Sequence, residues 1–357
     1  MPDELLPFGW DERVAALFAG LDVPGAVPGR VSRVDRGSCL VVTDDGVVRA
    51  SPFGAVARQA GLSGVPATGD WVAVLGGGGD DTGVVAILPR RSAISRKDPD
   101  EQVTAEQVLA ANLDVVAVVC ALDRPVGQNR IERMLAAAWE SGAAPAVVLT
   151  KADLAPNLGQ AVAEAQAAAG GVDVVVTSAV ASDGIDDVRA LLRPSRTLAL
   201  LGPSGAGKSS LVNRLVGDEV QPTGAVREAD ARGRHTTTAR RLVPVPGGGV
   251  LLDTPGLRSL PLWDAGSGVA AAFDDVEDVA LGCRFRDCRH EQEPGCAVRA
   301  AVDGGGLDGR RVESYHKLLL ELDALEVRRD EQARRAQGRR GSKLLSEVER
   351  LEGRRDR

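Results

Sequence analysis

An apolar, β-favouring run at 197–201 (TLALL) breaks into a glycine-rich loop, Gly202-Pro203-Ser204-Gly205-Ala206-Gly207, and a helical pattern resumes at once with Lys208-Ser209-Ser210. These residues fit G-x-x-x-x-G-K-S/T. In that pattern the glycines let backbone N–H groups face inward, forming an anion nest at the positive end of the following helix. Lys208 would reach the outer phosphates and the Ser209 hydroxyl would ligate Mg²⁺. The strand before the loop and the helix after it separate this reading from an ordinary glycine-containing turn. The chain is expected to bind a nucleoside triphosphate.

Upstream, strand-like runs alternate with helical stretches: LDVVAVVCAL, NRIERMLAAAWESG, PAVVLTKADL, an alanine-rich stretch near 159–169, and VDVVVTSAV. That alternation predicts a multidomain α/β protein whose central domain is a doubly wound, mostly parallel sheet. Ligands gather at the carboxyl ends of such strands, and the motifs fall there. PAVVLT runs into Lys151-Ala152-Asp153, and VDVVVT into Ser178-Ala179. The Asp153 carboxylate can accept two hydrogen bonds from guanine, which adenine does not offer, with the Lys151 stem along the base. Downstream, GGGVLLDTPG makes a strand ending in Asp253, which would hold Mg²⁺ through water, with the Gly256 N–H reaching the γ-phosphate. Between them Gly233-Arg234-His235-Thr236-Thr237-Thr238 suits a switch segment in which Thr236 or Thr237 completes the Mg²⁺ shell. Both segments would be ordered by the γ-phosphate and released on hydrolysis.

A length of 357 residues points to two or three domains. From about residue 30 to 89, five β-rich runs separated by turn clusters resemble a small antiparallel barrel, read here as OB-like. A barrel that merely packs on its neighbour remains open, since Phe53 and Trp71 are its only aromatics for base stacking. The charged stretch 90–104 reads as a linker. No 18-residue apolar span and no secretion signal are present, so no membrane association and a cytoplasmic location are expected. A net charge of −7 argues against indiscriminate coating of nucleic acid.

Of five cysteines, Cys39 and Cys120 lie in apolar runs and read as inert core residues. Cys283, Cys288, His290 and Cys296 are spaced as a closed, structural Zn²⁺ site, with free thiols as the alternative. Arg284, Arg286, Arg289 and Arg299 surround it, as an RNA-facing patch or as solvated charges. A helical stretch after residue 310, on which His316 reads as a packing residue, leads to a tail from 331 to 357 holding nine basic and five acidic residues.

These are GTPase motifs in rotated order: T-K-A-D and T-S-A precede the phosphate loop, and D-T-P-G comes last. The sequence resembles the circularly permuted GTPases, most closely those dependent on the small ribosomal subunit. T-G-D-W-V at 68–72, G-R-H-T-T-T at 233–238 and the cysteine cluster carry the resemblance along nearly the whole chain. It implies a barrel over 1–92, a permuted GTPase domain over 93–262 and a zinc-binding helical domain with a basic tail over 263–357. It also implies one zinc ion on Cys283, Cys288, His290 and Cys296. The implied partners are GTP, GDP and the small ribosomal subunit with its rRNA, for a monomer acting late in subunit maturation.

Two departures stand out against GTPases at large. The glutamine that often follows the D-x-x-G glycine is replaced by Leu257, a replacement this family shares, so His235 becomes the candidate for orienting the attacking water. His235 as a loop-positioning or RNA-contacting residue stays open. The guanine motif begins with Thr150 where asparagine is usual, so a bond to the base or to the phosphate loop is expected to be lost.

Overall fold

The computed structural model of the chain describes residues 2–52, 64–76, 82–97, 106–217, 240–253 and 266–327, with 331 and 334. The five β-rich runs form β1 (Val27–Asp35), β2 (Ser38–Thr43), β3 (Gly46–Ala50), β4 (Trp71–Leu75) and β5 (Gly83–Ile87). The pairs β1·β2, β2·β3 and β4·β5 are antiparallel, and β4 returns to pair with β1. A parallel bridge from Ser51 to Gly83 joins the end of β3 to the start of β5, so each strand has a neighbour on both sides. Val31, Val41, Val72, Val74 and Val84 fill the interior. A 3-10 helix (Asp3–Phe8) and α1 (Glu12–Ala19), capped by Asp11, cover one side. They bury Trp10 against Trp71, with ring centroids 5.4 Å apart. Trp71 is therefore a packing residue and not a platform for bases; Phe53 lies outside the described residues.

The stretch 90–104, expected to be a linker, is in part a strand. β6 (Ala93–Lys97) pairs antiparallel with β7 (Glu106–Ala111). Its polarity misleads because the charges are engaged: Arg90 makes two 2.7 Å hydrogen bonds to the fully buried Asp70. One apolar residue, Ile94, anchors the strand in the main core.

The central domain follows as β8 (Val115–Ala121), α2 (Gln128–Glu140), β9 (Ala144–Thr150), α3 (Leu158–Ala169), β10 (Val174–Val176), α4 (Ile185–Ala190), β11 (Thr197–Leu201), α5 (Lys208–Val216), β12 (Arg241–Pro244) and β13 (Val250–Asp253). The strand order is β10-β9-β8-β11-β13-β12, parallel except for β12. Continuous apolar runs suit strands buried on both faces. Along β8, Val116 and Val118 face the core under α2 and α3, while Val115, Ala117 and Val119 face the one under α4 and α5.

Sequence reading treats barrel and central sheet as separate; the structure joins them. β12 pairs with β1 at Arg241 and Arg33, giving one hydrogen-bonded sheet of eleven strands. The edge of β12 away from β13 is free to pair, and β1 supplies the partner.

The chain ends in α6 (Gly266–Ala272), α7 (Asp274–Ala280), α8 (Ala297–Asp303) and a helix α9 over 309–327. Their Val269, Phe273, Val298 and Val312 share one core with α2 and α3. A Cβ at Gly268 would lie 2.2 Å from the Ala136 carbonyl oxygen, so only glycine allows α6 this close to α2. Fully buried Glu132 on α2 accepts hydrogen bonds from Arg310 at 2.8 Å and Arg311 at 3.4 Å. Arg311 also reaches Asp275 and covers the Phe273 ring at 4.8 Å.

Candidate functional site

The parallel strands β10, β9, β8, β11 and β13 all run out toward the same edge of the sheet, and the candidate residues collect there. From β11 the chain enters the loop 202–207. A Cβ at Gly202 would sit 2.5 Å from the Val119 carbonyl oxygen, so the loop leaves the sheet where only glycine fits. Gly205 and Gly207 take φ of +77° and +84°, flanking buried Ala206. Such alternation turns successive N–H groups to one side, at the positive end of α5. Lys208 donates to the carbonyls of Gly202 and Pro203 at 2.6 and 2.8 Å, which curls its ammonium back over the loop. Ser204 is exposed, and Ser209 and Ser210 are half-buried in the first turn of α5.

Thr150 closes β9, 4% exposed, and its hydroxyl donates to the Ala206 carbonyl at 2.6 Å. Of the two bonds that the loss of asparagine put in question, to the base or to the phosphate loop, the one to the loop is made by threonine. The hydroxyl is short but already beside the loop: a Cβ at Gly207 would be 3.1 Å from it. Lys151 follows in the left-handed region, φ +59°, which swings its side chain toward the end of β8. There its ammonium pairs with Asp123 at 2.5 Å. Hydrogen bonds from Arg124 and then Lys151 hold the Asp123 carboxyl down at about 2. Asp123 was not singled out in the sequence; an acidic residue just past a buried strand is the only signal it offered.

Asp153 is exposed and accepts a 2.5 Å hydrogen bond from Ser178, which in turn accepts from the Ala181 N–H. The Ala152 N–H bonds the Thr177 carbonyl, so the β9 and β10 ends are tied together. The Ala179 carbonyl accepts from Arg214 of α5 at 2.8 Å. Asp253 ends β13 and is paired with Arg241, its register partner on β12, at 3.3 Å. The structure thus brings Thr150, Lys151, Ala152, Asp153, Ser178, Ala179, the loop, Ser209 and Asp253 to one edge. His235, Thr236, Thr237 and Gly256 lie outside the described residues.

The second cluster joins α7, α8 and the loop between them. The ligand atoms of Cys283, Cys288, His290 and Cys296 all lie within 4.8 Å of one another. His290 Nδ1 is 3.5 Å from the sulfurs of Cys283 and Cys296, which are 3.9 Å apart. A tetrahedral Zn²⁺ with bonds of about 2.3 Å to sulfur and 2.0 Å to nitrogen needs sulfurs ~3.8 Å apart and nitrogen ~3.5 Å from sulfur, so the donor set fits. Backbone N–H groups of Ala297 and Arg299 point at the Cys283 and Cys296 sulfurs. Burial raises the Cys283 thiol, but hydrogen bonds from Val298 and Ala297 outweigh it and bring the thiol below its ordinary value. Burial, with His316 stacked on it at 6.4 Å, lowers His290 and keeps it neutral, the form that ligates. Cys39 and Cys120, by contrast, are pushed up by burial to about 12 and 11. Arg284, Arg286, Arg289 and Arg299 are all exposed around the cluster.

A phosphate loop on the fourth parallel strand in chain order, with the guanine-type strand ends before it, defines a circularly permuted P-loop GTPase. Solved structures agree on that fold. YjeQ from Thermotoga maritima matches with a TM-score of 0.63 at 24% identity over 83% of this chain and 98% of that one. YloQ, described as a circularly permuted GTPase, gives 0.63 at 22% over 84% and 96%. The model of the RsgA GTPase family matches residues 87–263. A Streptomyces coelicolor protein named small ribosomal subunit biogenesis GTPase RsgA is 48% identical over 92% of this chain and 90% of its own. One of the same name from Opitutus terrae is 43% identical over 98% and 99%. The chain belongs to the RsgA GTPase family and is a GTP-hydrolysing enzyme.

Proposed function

We propose that this GTPase binds the small ribosomal subunit during its late maturation, hydrolyses GTP to GDP and phosphate, and is then released. The observation that carries the reading is similarity over the full length to proteins named for small-subunit biogenesis, with barrel and cysteine cluster included. Our division is a barrel unit over 1–92, a GTPase unit over 93–262 and a metal-binding helical unit over 263–357. The first is an oligonucleotide-binding barrel in our reading, which its five-strand pairing with β3 beside β5 supports. The exposed arginines around Cys288 suit rRNA phosphates. The protein acts as a monomer in the cytoplasm.

In this reading Asp153 selects guanine, Ser178 orients that carboxylate, and Lys151 lies along the base with Ala152 and Ala179 beside it. The loop N–H groups and Lys208 hold the phosphates. Mg²⁺, bound with GTP, would be held by Ser209, by Thr236 or Thr237, and through water by Asp253; it neutralises charge on the phosphates. The Gly256 N–H contacts the γ-phosphate, and His235 orients the attacking water. One structural Zn²⁺ on Cys283, Cys288, His290 and Cys296 keeps the arginine-bearing loop in shape.

The test is hydrolysis of GTP and ATP with and without small ribosomal subunits, comparing wild type with Lys208→Ala and His235→Ala. The reading expects slow, GTP-selective turnover raised by subunits and lost in Lys208→Ala, and loss of stimulation alone in His235→Ala. Unchanged rates with subunits present would remove the ribosome as partner.

A further inference from the structure

At the opposite edge of the central sheet from the phosphate loop lies an open pocket of about 410 Å³, lined by the N-terminal segment, the barrel and the chain around residues 112–114 and 194–196. Arg30 of β1 forms part of its wall. It is 2% exposed, yet its partners are all neutral: the carbonyls of Phe8, Gly69 at 3.3 Å and Asn112 at 3.0 Å, and the Thr197 hydroxyl at 2.8 Å. These use four of five N–H donors and supply no carboxylate. A buried guanidinium without a counter-charge is costly, and buried charges are as a rule paired.

Two carboxylates also line the cavity, and both have backbone or side-chain partners of their own. Asp114 is already engaged by Arg91 and by the Thr197 N–H, and Asp11 caps α1. Arg13 and Arg196 also line the cavity, are exposed, and have no side-chain partner among the described residues. The cavity wall thus carries four guanidinium groups, Arg13, Arg30, Arg91 and Arg196, against the two carboxylates of Asp11 and Asp114, and the Trp71 ring lies 5.0 Å from the Arg30 guanidinium. Burial, and after it the nearby Arg91, presses Arg30 down to about 9 against the opposing pull of Asp70 and Asp11, and leaves it protonated at neutral pH.

We propose that this cavity is a second ligand site, distinct from the nucleotide site, which binds a small phosphorylated anion through Arg13, Arg30 and Arg196. Guanidinium forks match phosphoryl oxygens in pairs, which Arg13 and Arg196 can offer, while Arg30 has one N–H left to give; together they suit a ligand of two or more negative charges. The volume lies in the range of small-ligand pockets. Arg30 bonds the first residue of β11, whose last residue leads into the phosphate loop, so both sites hold the same five-residue strand.

The test is calorimetric titration of the full-length chain with inorganic pyrophosphate in Mg²⁺-free buffer. Lys208→Ala is used to weaken binding at the phosphate loop, and Arg13→Gln/Arg196→Gln is added in that background. The Lys208→Ala chain is expected to bind one pyrophosphate, and the two further substitutions to weaken that binding tenfold or more. These arginines carry no structural bonds, so folding is not at stake. Absence of binding in Lys208→Ala, or binding indifferent to Arg13 and Arg196, overturns the proposal. Displacement of pyrophosphate by a short single-stranded RNA without terminal phosphate would also overturn it, by assigning the arginines to an RNA backbone.

Discussion

Replacing Thr150 by valine keeps the side-chain volume and removes one hydroxyl. That hydroxyl is 4% exposed and donates at 2.6 Å to the Ala206 carbonyl, inside the phosphate loop. A buried acceptor deprived of its donor costs about 1–2 kcal/mol, roughly 5- to 30-fold in an equilibrium constant. If the loop keeps its shape, the loss appears in chemical unfolding of the apo chain. If the loop loosens while the fold persists, it appears in GDP affinity, because binding must then reorder the loop. Both are measured, by urea titration and by calorimetry, on Thr150→Val and on Thr150→Ser, which retains the donor. The sum of the two losses in the valine variant should reach at least 1 kcal/mol, with serine recovering most of it. Valine matching wild type in both assays would refute the claim that this hydroxyl ties guanine motif to phosphate loop, as would serine losing as much as valine.

Glu132→Ala strips Arg311, 4% exposed, of one of its two carboxylates. Urea unfolding should show destabilisation of about 3–5 kcal/mol, and a loss below 1 kcal/mol would mean that water replaces the carboxylate. Gly202→Ala places a methyl 2.5 Å from the Val119 carbonyl oxygen. GDP affinity should fall at least tenfold as β11 and β8 are forced apart; unaltered affinity would contradict the close approach. For Asp123 the folded carboxyl is depressed to about 2 from 3.8. Its pairing with Lys151 is therefore complete above pH 3.8 and is lost as pH falls through 2. Carboxyl-carbon NMR titration should show this, and a midpoint near 3.8 would separate the pair.

The phosphate loop, the rotated motif order and the Cys283–Cys296 cluster were legible because each is local: the physics that makes them work acts within a few residues. The five barrel runs were legible for the same reason, each carrying its own alternation and turn. What stayed hidden depends on partners far away in the chain. Arg30 meets Thr197 across 167 positions, and Glu132 meets Arg310 across 178. The strand 93–97 looked like linker because Arg90 and its neighbours spend their charges on Asp70 and other tertiary partners, which composition cannot reveal. Asp123 looked like any polar residue after a strand until Lys151, 28 positions on, was seen to reach it.

The bond between β12 and β1 also bears on whether copies of this chain pair with one another. A strand with an unpaired edge offers its backbone as a template to any other chain, and long edges invite aggregation. Here β1 of the chain's own barrel pairs with the outer edge of β12 at Arg33 and Arg241, and within the barrel the Ser51–Gly83 bridge brings β3 and β5 together. Among the described residues, the eleven-stranded sheet ends at β3, whose outer side meets β5 through that one bridge, and at β10, three residues long. So short an edge offers little for an intruding strand to copy. Breaking the backbone pairing between Arg33 and Arg241, for instance by a proline at either position, would therefore expose the β12 edge to self-association, quite apart from any effect on nucleotide.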